Sequence, residues 1–293
     1  MDFNPLDAAR PESDYKLTYV APGEKGTTWN LATPNAAERV NQTVLLLKDG
    51  TPNFDAQPAL TTRSTVNRYG EDSVSAQLPR FGSTIKCLVG RPGDNLRDVD
   101  RAWRQSWPLV LHKGELPTYD PWNPTKSGRF IITDTGGHNR WLPVYSTGMT
   151  SLPSNYRGVP SYVSDVEWES LAGSYFGSKK ILKGSGDITV PGEIRPIARL
   201  RWDTSALSII QMPNGQALTL EPGPGVTGIR YINLNRGYAG QITDAAGNVD
   251  DASWSQLRGA VLGINLVPHE PTTWGMSQGL TLEVIPRYLS PWR

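Results

Sequence analysis

Residues 207–223, LSIIQMPNGQALTLEPG, constrain the fold more than any other stretch of the chain. Two short segments that alternate apolar and polar residues flank Pro213, Asn214 and Gly215. Asn-Gly strongly favours a tight turn between antiparallel strands, because both residues tolerate a positive φ angle. The stretch therefore predicts a β-hairpin.

Further strand candidates surround this hairpin. They are GSGDITVPGEIRPIARLRW (184–202), GIRYINLN (228–235), AGQIT (239–243) and GAVLGINLVPHEPTTWGMSQGLTLEVIPRYLSPW (259–292), with a turn at 244–248. Since the region holds several strands and no convincing helix, it predicts an antiparallel β-sandwich rather than a β-α-β unit. Its length of about 110 residues is normal for one such domain.

Composition indicates a second domain of the same structural class. A chain of 293 residues is longer than one minimal core requires and suits two medium-sized domains. It contains 29 glycines and 24 prolines, and only 38% of its residues are hydrophobic. This combination favours many short strands joined by turns over a helical bundle.

Charge and cysteine content argue against several classes of protein. The 29 lysines and arginines nearly balance the 28 aspartates and glutamates, so there is no basic field to attract a nucleic-acid backbone. We therefore expect no specific nucleic-acid binding. Cys87 is the only cysteine, which excludes a disulfide framework, and the alternation in STIKCLVG predicts that its thiol is buried and inert.

The sequence contains no recognisable targeting or membrane signal. The segment MDFNPLDAARPESDYK (1–16) has neither the basic region nor the apolar region of a signal peptide. The longest tight aliphatic run, residues 44–47, is far shorter than a membrane span. We expect synthesis and folding in a cytoplasm and no membrane partner.

Residues 1–180 predict short strands with two long loops. The predicted strands are 16–20, 27–31, 43–48, 73–78, 82–89, 109–113, 129–133, 140–148 and 163–173. The turn sequences DG (49–50) and DTGG (134–137) end two of them. Residues 52–67 and 115–128 contain prolines and predict long loops, which are usually functional or interfacial.

One helix is predicted, over residues 94–107 within GDNLRDVDRAWRQSW. Its apolar stripe is Leu96, Val99, Trp103 and Trp107. Asp94 or Asn95 can cap the first turn, and Pro108 ends the helix. We expect the tryptophan pair to pack in a core rather than to bind a ligand.

No catalytic constellation is recognisable in the sequence. The three histidines are His112, His138 and His269, and none lies in a zinc-binding spacing. Cys87 has no evident histidine partner, and no nucleophile elbow or P-loop occurs. The glycine turns at 93–95 and 223–228 lack the features of a phosphate cradle. We expect no catalytic, cofactor-binding or metal-binding residues, and a protein that is not an enzyme.

Several features of the second half occur together in one known family. In chain order they are Gly186-Asp187, Pro191, Pro196, the PNG hairpin, the DAAGN turn (244–248), Trp254 and LVP (266–268). This series resembles the C-terminal domain of siphovirus distal tail proteins, the Dit-like minor tail proteins of actinobacteriophages above all. The helix at 94–107 and VEWESLAGSYFG (166–177) fit the first half of the same family, so the resemblance spans nearly the whole chain.

The resemblance implies a mainly β fold with two β-sandwich domains. The first, residues 1–180, would contain the helix and form a ring, and the second, residues 181–293, would be galectin-like. The boundary is predicted at 177–185, where small and charged residues replace the aromatic alternation.

The implied role is structural, at the tip of a long non-contractile phage tail. A homo-oligomeric ring, hexameric in the family, would link the tail tube protein to the tail-associated hub protein and support host-attachment parts. The tape measure protein is a further candidate partner, and no cofactor is implied. A head-to-tail contact closes into such a ring when the rotation per subunit divides a full turn. The loops at 52–67 and 115–128 are candidates to supply that contact.

Two alternatives compete with this function. Ten tryptophans and the predicted sandwich also suit a carbohydrate- or receptor-binding module, and a cell-wall hydrolase is a third hypothesis. HNRW (138–141) resembles part of a galectin sugar site, but it lies in the first domain and lacks the remaining contacts. DAAGNVDD (244–251) clusters carboxylates that could bind calcium, although a solvent-exposed hairpin with local Asx hydrogen bonds is the simpler interpretation.

Overall fold

The structure, a computed structural model, describes residues 14–47, 59–64, 71–77, 81–107, 119–153, 159–205, 207–213, 215–235, 241–254 and 266–292. The chain divides into two compact units. Unit one comprises Met1–Phe176 with Leu289–Arg293, and unit two comprises Gly177–Tyr288. Strands dominate both units, which confirms the mainly β fold class. None of the described helices is long and apolar enough to cross a membrane.

Unit one is built on one antiparallel sheet. Its strands are β1 (Lys16–Val20), β2 (Thr28–Ala32), β3 (Val44–Leu46), β4 (Ala59–Ser64), β5 (Glu71–Gln77), β6 (Gly82–Val89), β7 (Gly128–Thr133), β8 (Asn139–Met149), β9 (Tyr162–Ser170) and β10 (Tyr175–Phe176). The sheet order is β2-β1-β7-β8-β9-β6-β3, and β10 pairs with β8. The two end strands, β2 and β3, approach each other without pairing.

The remaining pair, β4 and β5, forms a separate two-stranded ribbon. A long loop was predicted at 52–67, and this prediction is wrong for 59–64, where β4 runs. Threonines in this segment favour the extended conformation, whereas the loop prediction gave more weight to the polar residues and prolines around them.

The strand predicted at 43–48 is confirmed only over its centre, β3. The predicted turn at 49–50 and strand at 109–113 lie outside the described residues.

In the described part of unit one, two α-helices accompany the sheet, α1 (Ala36–Val40) and α2 (Leu96–Gln105), and a short 3-10 helix occupies Pro124–Lys126. The helix predicted over 94–107 exists but is shorter at both ends. Asn95 is its N-cap residue, yet its side chain donates to the carboxylate of Asp98 instead of accepting a backbone N–H. The predicted side-chain cap is therefore absent from this helix.

Both tryptophans of the predicted stripe are in the core of unit one. Trp103 is 0% exposed and Trp107 is 3% exposed. Trp107 stacks on Tyr19 at 3.8 Å between ring centroids, and Phe130 packs edge-on against it at 5.8 Å. The core-packing interpretation of the pair is confirmed.

Unit two is a sandwich of two antiparallel sheets. Its strands are β11 (Lys180–Lys183), β12 (Gly186–Thr189), β13 (Ile194–Asp203), β14 (Ser208–Gln211), β15 (Ala217–Leu220), β16 (Ile229–Asn233), β17 (Ile242–Thr243), β18 (Pro271–Met276) and β19 (Leu280–Tyr288), with the short helix α3 (Asp251–Trp254). One sheet has the order β17-β16-β13-β19-β11 and the other β12-β18-β14-β15. The predicted sandwich is confirmed.

Alternation along the strands supplies the core between these sheets. Trp202 and Leu282 of the first sheet and Ile210 and Trp274 of the second are all buried in one cluster. Burying a large apolar side chain contributes about 1.5–3 kcal/mol, so this cluster is the main source of stability in unit two.

The hairpin predicted at 207–223 is present. β14 pairs with β15 from Ser208↔Leu220 to Gln211↔Ala217. The N–H of Gly215 donates to the carbonyl of Met212, and Gly215 has a φ of 82°. Glycine is suited to this position because a Cβ would strain the left-handed conformation.

Candidate assembly surfaces

Helix α2 is fixed to the sheet by two polar contacts as well as by Trp103 and by Trp107, which follows the helix. The Trp103 indole N–H donates to the hydroxyl of Ser164 at 3.3 Å. The Tyr162 hydroxyl donates to Asp100, which is 8% exposed. Burial raises the pKa of Tyr162, and the neighbouring Asp100 carboxylate raises it further. The helix is therefore held in one position on β9.

A groove lies between the two end strands of the sheet in unit one, β2 and β3. Its volume is about 670 Å³. The lining residues come from β1, β2, α1, β3 and the segment between α1 and β3, among them Lys16, Trp29, Asn30, Glu38, Asn41 and Gln42. Most of them are polar.

At one end of this groove an ion pair joins β1 to α1. Lys16 Nζ lies 3.3 Å from Glu38 Oε2. The hydrogen bond from Lys16 lowers the pKa of Glu38, and a second from the Thr33 hydroxyl adds to the effect. Both charged groups are partly exposed. Because their charges are opposite, the pair leaves this part of the groove close to neutral.

Three buried polar atoms of residues that line the groove have no hydrogen-bond partner among the described residues. They are Trp29 Nε1, Gln42 Nε2 and Gln42 Oε1. Gln42 is only 8% exposed, and an unpaired buried polar group costs about 1–3 kcal/mol.

In unit two, a charged cluster joins β13, β19 and the residue before β11. Glu283, with a side chain only 7% exposed, accepts from Arg199 Nε at 2.7 Å and from Lys179 Nζ at 3.1 Å. Arg199 also lies over the Tyr231 ring, 3.8 Å from its centroid. Burial alone would raise the pKa of Glu283, but the bonds and charges of Arg199 and Lys179 hold it below its ordinary value.

Two of the three carboxylates at 244–251, those of Asp244 and Asp250, are already engaged by the protein. Asp244 Oδ1 accepts the N–H groups of Ala246 and Asn248, and its Oδ2 accepts the Asn248 side chain. Asp250 accepts from Arg230 Nε at 2.9 Å and from Ser253. Within the part of the chain that the structure describes, no group of three acidic, histidine or cysteine side chains could hold a metal ion.

The HNRW stretch does not present a joint polar surface. His138 is exposed at a hairpin tip, with Nδ1 3.2 Å from Asp134 Oδ2. Arg140 is buried and donates to the carbonyl of Ser290. Trp141 is half-buried and packs against Phe176.

The other candidate residues are dispersed. Cys87 is buried on β6, and burial raises the pKa of its thiol, as expected of an inert cysteine. His269 is exposed in the turn before β18, and His112 lies outside the described residues. The glycine turns at 93–95 and 223–228 are loops between elements of the fold.

Sequence reasoning missed the polar residues that organise these surfaces. Asp100 follows Leu96 by four positions and precedes Trp103 by three, so it lies on the apolar stripe of α2. A carboxylate among the apolar positions of a helix indicates that a hydrogen-bond donor is buried beside it. Gln42 offers no comparable signal, because no periodic pattern predicts the groove.

Comparison with known proteins adds a whole-chain likeness to these local observations. No protein family model and no curated protein sequence matches the chain. Among solved structures, the SPP1 Dit protein, a paradigm of the hub adsorption apparatus in phages that infect Gram-positive bacteria, superposes with a TM-score of 0.53. The match has 13% sequence identity and covers 92% of this chain and 98% of that one.

The chain has the fold of a phage Dit protein. A chain of the phage P2 baseplate, in its activated conformation with Ca, shares this Dit fold with a TM-score of 0.51 and 9% identity. That match covers 95% of this chain and 99% of the other. The resemblance inferred from sequence is confirmed for the fold.

Proposed function

We propose that this protein is a distal tail protein, a structural component of the tip of a long non-contractile phage tail. The single observation that supports this function is the extent of the Dit likeness, which covers 92% of this chain and 98% of SPP1 Dit. A β-sandwich alone is shared by many unrelated proteins, so one matched domain would say little about function. Here the likeness extends over both units.

The proposed role is a ring that links the tail tube to the baseplate hub and supports host-attachment parts. SPP1 Dit belongs to a hub adsorption apparatus, and the P2 chain belongs to a baseplate. By analogy we assign this protein to the virion tail tip, with the tail tube protein and the tail-associated hub protein as neighbours. The tape measure protein is a third candidate neighbour.

Ring formation is assigned to the first domain, predicted at 1–180, and a hexamer is the expected state. The second domain, predicted at 181–293, is assigned as a galectin-like appendage. The role is architectural, with no catalytic step or cofactor. Large permanent interfaces commonly bury more than about 2,000 Å² in total, so the ring contact should involve several elements of each copy.

The carbohydrate- or receptor-binding alternative is less well supported. Such modules use exposed aromatic rings as platforms. In this protein Trp103, Trp107, Trp168, Trp202 and Trp274 are all buried. These side chains belong to the cores of the two units.

Mass photometry of the full chain tests the proposal. We expect assemblies near six times 32.2 kDa, either alone or after mixing with the tail tube and hub proteins of the same phage. Antibody labelling should then mark the tail tip in electron micrographs of virions. A chain that stays monomeric with both tail partners, and binds host cell-wall glycan instead, contradicts the proposal.

A further inference from the structure

We propose that the outer face of the first sheet of unit two binds a phosphate group of a polyol phosphate chain. The site is centred on Thr281, with Lys183 and Arg201 on either side. This inference goes beyond the proposed ring function and does not depend on how the copies assemble.

The three residues belong to one row that crosses the five strands of this sheet. Thr281 on β19 is opposite Lys183 on β11 and opposite Arg201 on β13. Arg201 is in turn opposite Tyr231 on β16, and Tyr231 is opposite Thr243 on β17. Adjacent strands lie about 5 Å apart, so the long side chains of both cations can reach a small group bound at Thr281.

The row faces away from the core of unit two. Because side chains alternate along a strand, Thr281 and Arg201 project to the side opposite their buried neighbours. Both are partly exposed, and Lys183 is exposed. The neighbours that lie in the core are Leu200, Trp202, Leu280 and Leu282.

The central donors of the row have no partner among the residues that the structure describes. Neither Lys183 nor Arg201 forms an ion pair there, and the Thr281 hydroxyl forms no hydrogen bond. Asp203 interacts with the charge of Arg201, but its carboxylate accepts the Ser205 N–H at 3.1 Å. An ammonium, a guanidinium and a hydroxyl side by side suit an anion with several acceptor oxygens, as a phosphate group has.

The charged cluster on the same face adds to its positive potential. Glu283 is opposite Arg199, and its carboxylate is bound by both Arg199 and Lys179, so two cations face one carboxylate. The Glu283 side chain is only 7% exposed, so this carboxylate is enclosed. The face therefore attracts an anion, although the whole chain has a formal net charge of only +1.

The rest of the row favours a hydroxylated ligand over an aromatic one. Arg199 lies over the Tyr231 ring, 3.8 Å from its centroid, so a guanidinium already occupies one face of that ring. Stacking of a sugar or a nucleic-acid base on this ring is therefore disfavoured. The hydroxyls of Tyr231 and Thr243 can both donate and accept, which suits the hydroxyl groups of a polyol. A polyol phosphate chain carries both kinds of group.

Isothermal titration calorimetry of the full chain with a glycerol phosphate oligomer tests the site. An oligomer of about five units is short enough to contact one copy at a time. We expect a dissociation constant below about 1 mM in dilute salt, and weaker binding as added salt screens the charges. Three oligomers of the same length, made of uncharged glycerol, glutamate or single-stranded DNA, should bind at least about tenfold more weakly.

Substitution of the two cations locates the site. Lys183→Gln and Arg201→Gln should each weaken binding about tenfold, because each removes a charge-assisted hydrogen bond. The matched control is Lys180→Gln, which removes an exposed lysine of the same strand. Lys180 is opposite the core residue Val284 and so belongs to the other side of the sheet. Its loss should change binding less than about twofold.

The central hydroxyl is tested by a second pair of variants. Thr281→Val keeps the shape of the side chain but removes the donor, and should weaken binding about fivefold. Thr281→Ser retains the hydroxyl and should bind as the wild type does. Because these positions are on the surface, the melting temperatures should stay within about 2 °C of the wild type.

The outcomes separate this inference from the proposed function. A wild-type chain that does not bind the glycerol phosphate oligomer, or binds the glutamate or DNA oligomer as tightly, overturns the inference. A loss from Lys180→Gln as large as that from Lys183→Gln also overturns it. Each of these results leaves the ring intact, whereas a chain that binds the oligomer but never assembles with its tail partners contradicts only the proposed function.

Discussion

The hydroxyl of Tyr162 on β9 donates a hydrogen bond to the buried carboxylate of Asp100 on α2. Arg104 Nη1 lies 4.0 Å from the other carboxylate oxygen. A buried carboxylate is costly unless its oxygens are hydrogen-bonded, so the tyrosine compensates for a charge placed on the apolar side of the helix. The pair fixes both the rotation and the position of α2 on the sheet.

Replacing Tyr162 with phenylalanine should destabilise unit one. The change keeps the ring and leaves Asp100 with one donor fewer, which costs about 1–3 kcal/mol. Urea unfolding followed by tryptophan fluorescence measures the loss. The control is Tyr231→Phe, which keeps the ring beneath Arg199 and should cost less than about 0.5 kcal/mol. Equal losses for the two variants would contradict the assigned role.

Stability should fall at alkaline pH. Burial raises the pKa of Tyr19 and of Tyr162 in the folded state. A tyrosine in the unfolded chain titrates near pH 10, so the folded state binds more protons above that value. The contribution of these two tyrosines to the free energy of unfolding is therefore complete below about pH 10 and is lost as the pH rises further. Melting temperatures from pH 8 to about 11.5 should show this decline, and Tyr162→Phe should make it shallower.

The sequence predicts an element of the fold where residues close together in the chain are enough to specify it. The strand alternation at 82–89 and the glycine at position 215 specify their elements through neighbouring residues alone, and both predictions hold. The groove could not be predicted in this way, because it depends on where β2 and β3 lie once the seven strands of the sheet have paired. No local pattern specifies that Gln42 will be buried with no hydrogen-bond partner among the described residues.

The C-terminal residues illustrate the same limit. Leu289–Arg293 belong to unit one, where Trp292 packs against Tyr15 at 4.7 Å. The sequence around Trp292 continues directly from β19 of unit two and gives no sign of this return. Charged residues on strands are also ambiguous, since the same alternation fits an exposed glutamate and a buried one such as Glu283.

Gly215 and His269, which both have a positive φ angle in a turn, should respond in opposite directions to substitution. Gly215 has a φ of 82°, and no atom lies within 4 Å of the point that a Cβ would occupy, so Gly215→Ala adds backbone strain alone, about 1 kcal/mol. His269 has a φ of 64°. His269→Gly relieves that strain and should not destabilise unit two. Thermal denaturation of both variants tests the pair, and a loss from His269→Gly as large as that from Gly215→Ala would refute it.

Calcium should have no effect on stability through the 244–251 turn. The hydrogen bond from Asn248 lowers the pKa of Asp244, so the carboxylate is ionised, but its oxygens are already satisfied by the turn. A millimolar site would add about 1.4 kcal/mol at a tenfold excess of calcium. We expect the same melting temperature in calcium and in EDTA. Asp244→Ala should lower it under both conditions, whereas a calcium-dependent difference would revive the ion-binding hypothesis.

Of the two cations that contact Glu283, Arg199 should contribute more than Lys179 to the stability of unit two. Arg199→Ala leaves a nearly buried carboxylate without its shorter hydrogen bond and removes the contact with the Tyr231 ring. Breaking a buried ion pair costs about 3 kcal/mol. Lys179→Ala is the matched control, because its side chain is 42% exposed and a screened pair contributes less than about 1 kcal/mol.

The same ion pair should make the difference depend on pH, because the pKa of Glu283 is held low. The difference in free energy of unfolding between the wild type and Arg199→Ala should shrink as the pH falls below about 4.3, where the carboxylate of the unfolded chain becomes protonated. Urea unfolding at pH 7 and pH 3.5 measures both effects, and a larger loss from Lys179→Ala would show that the assignment is wrong.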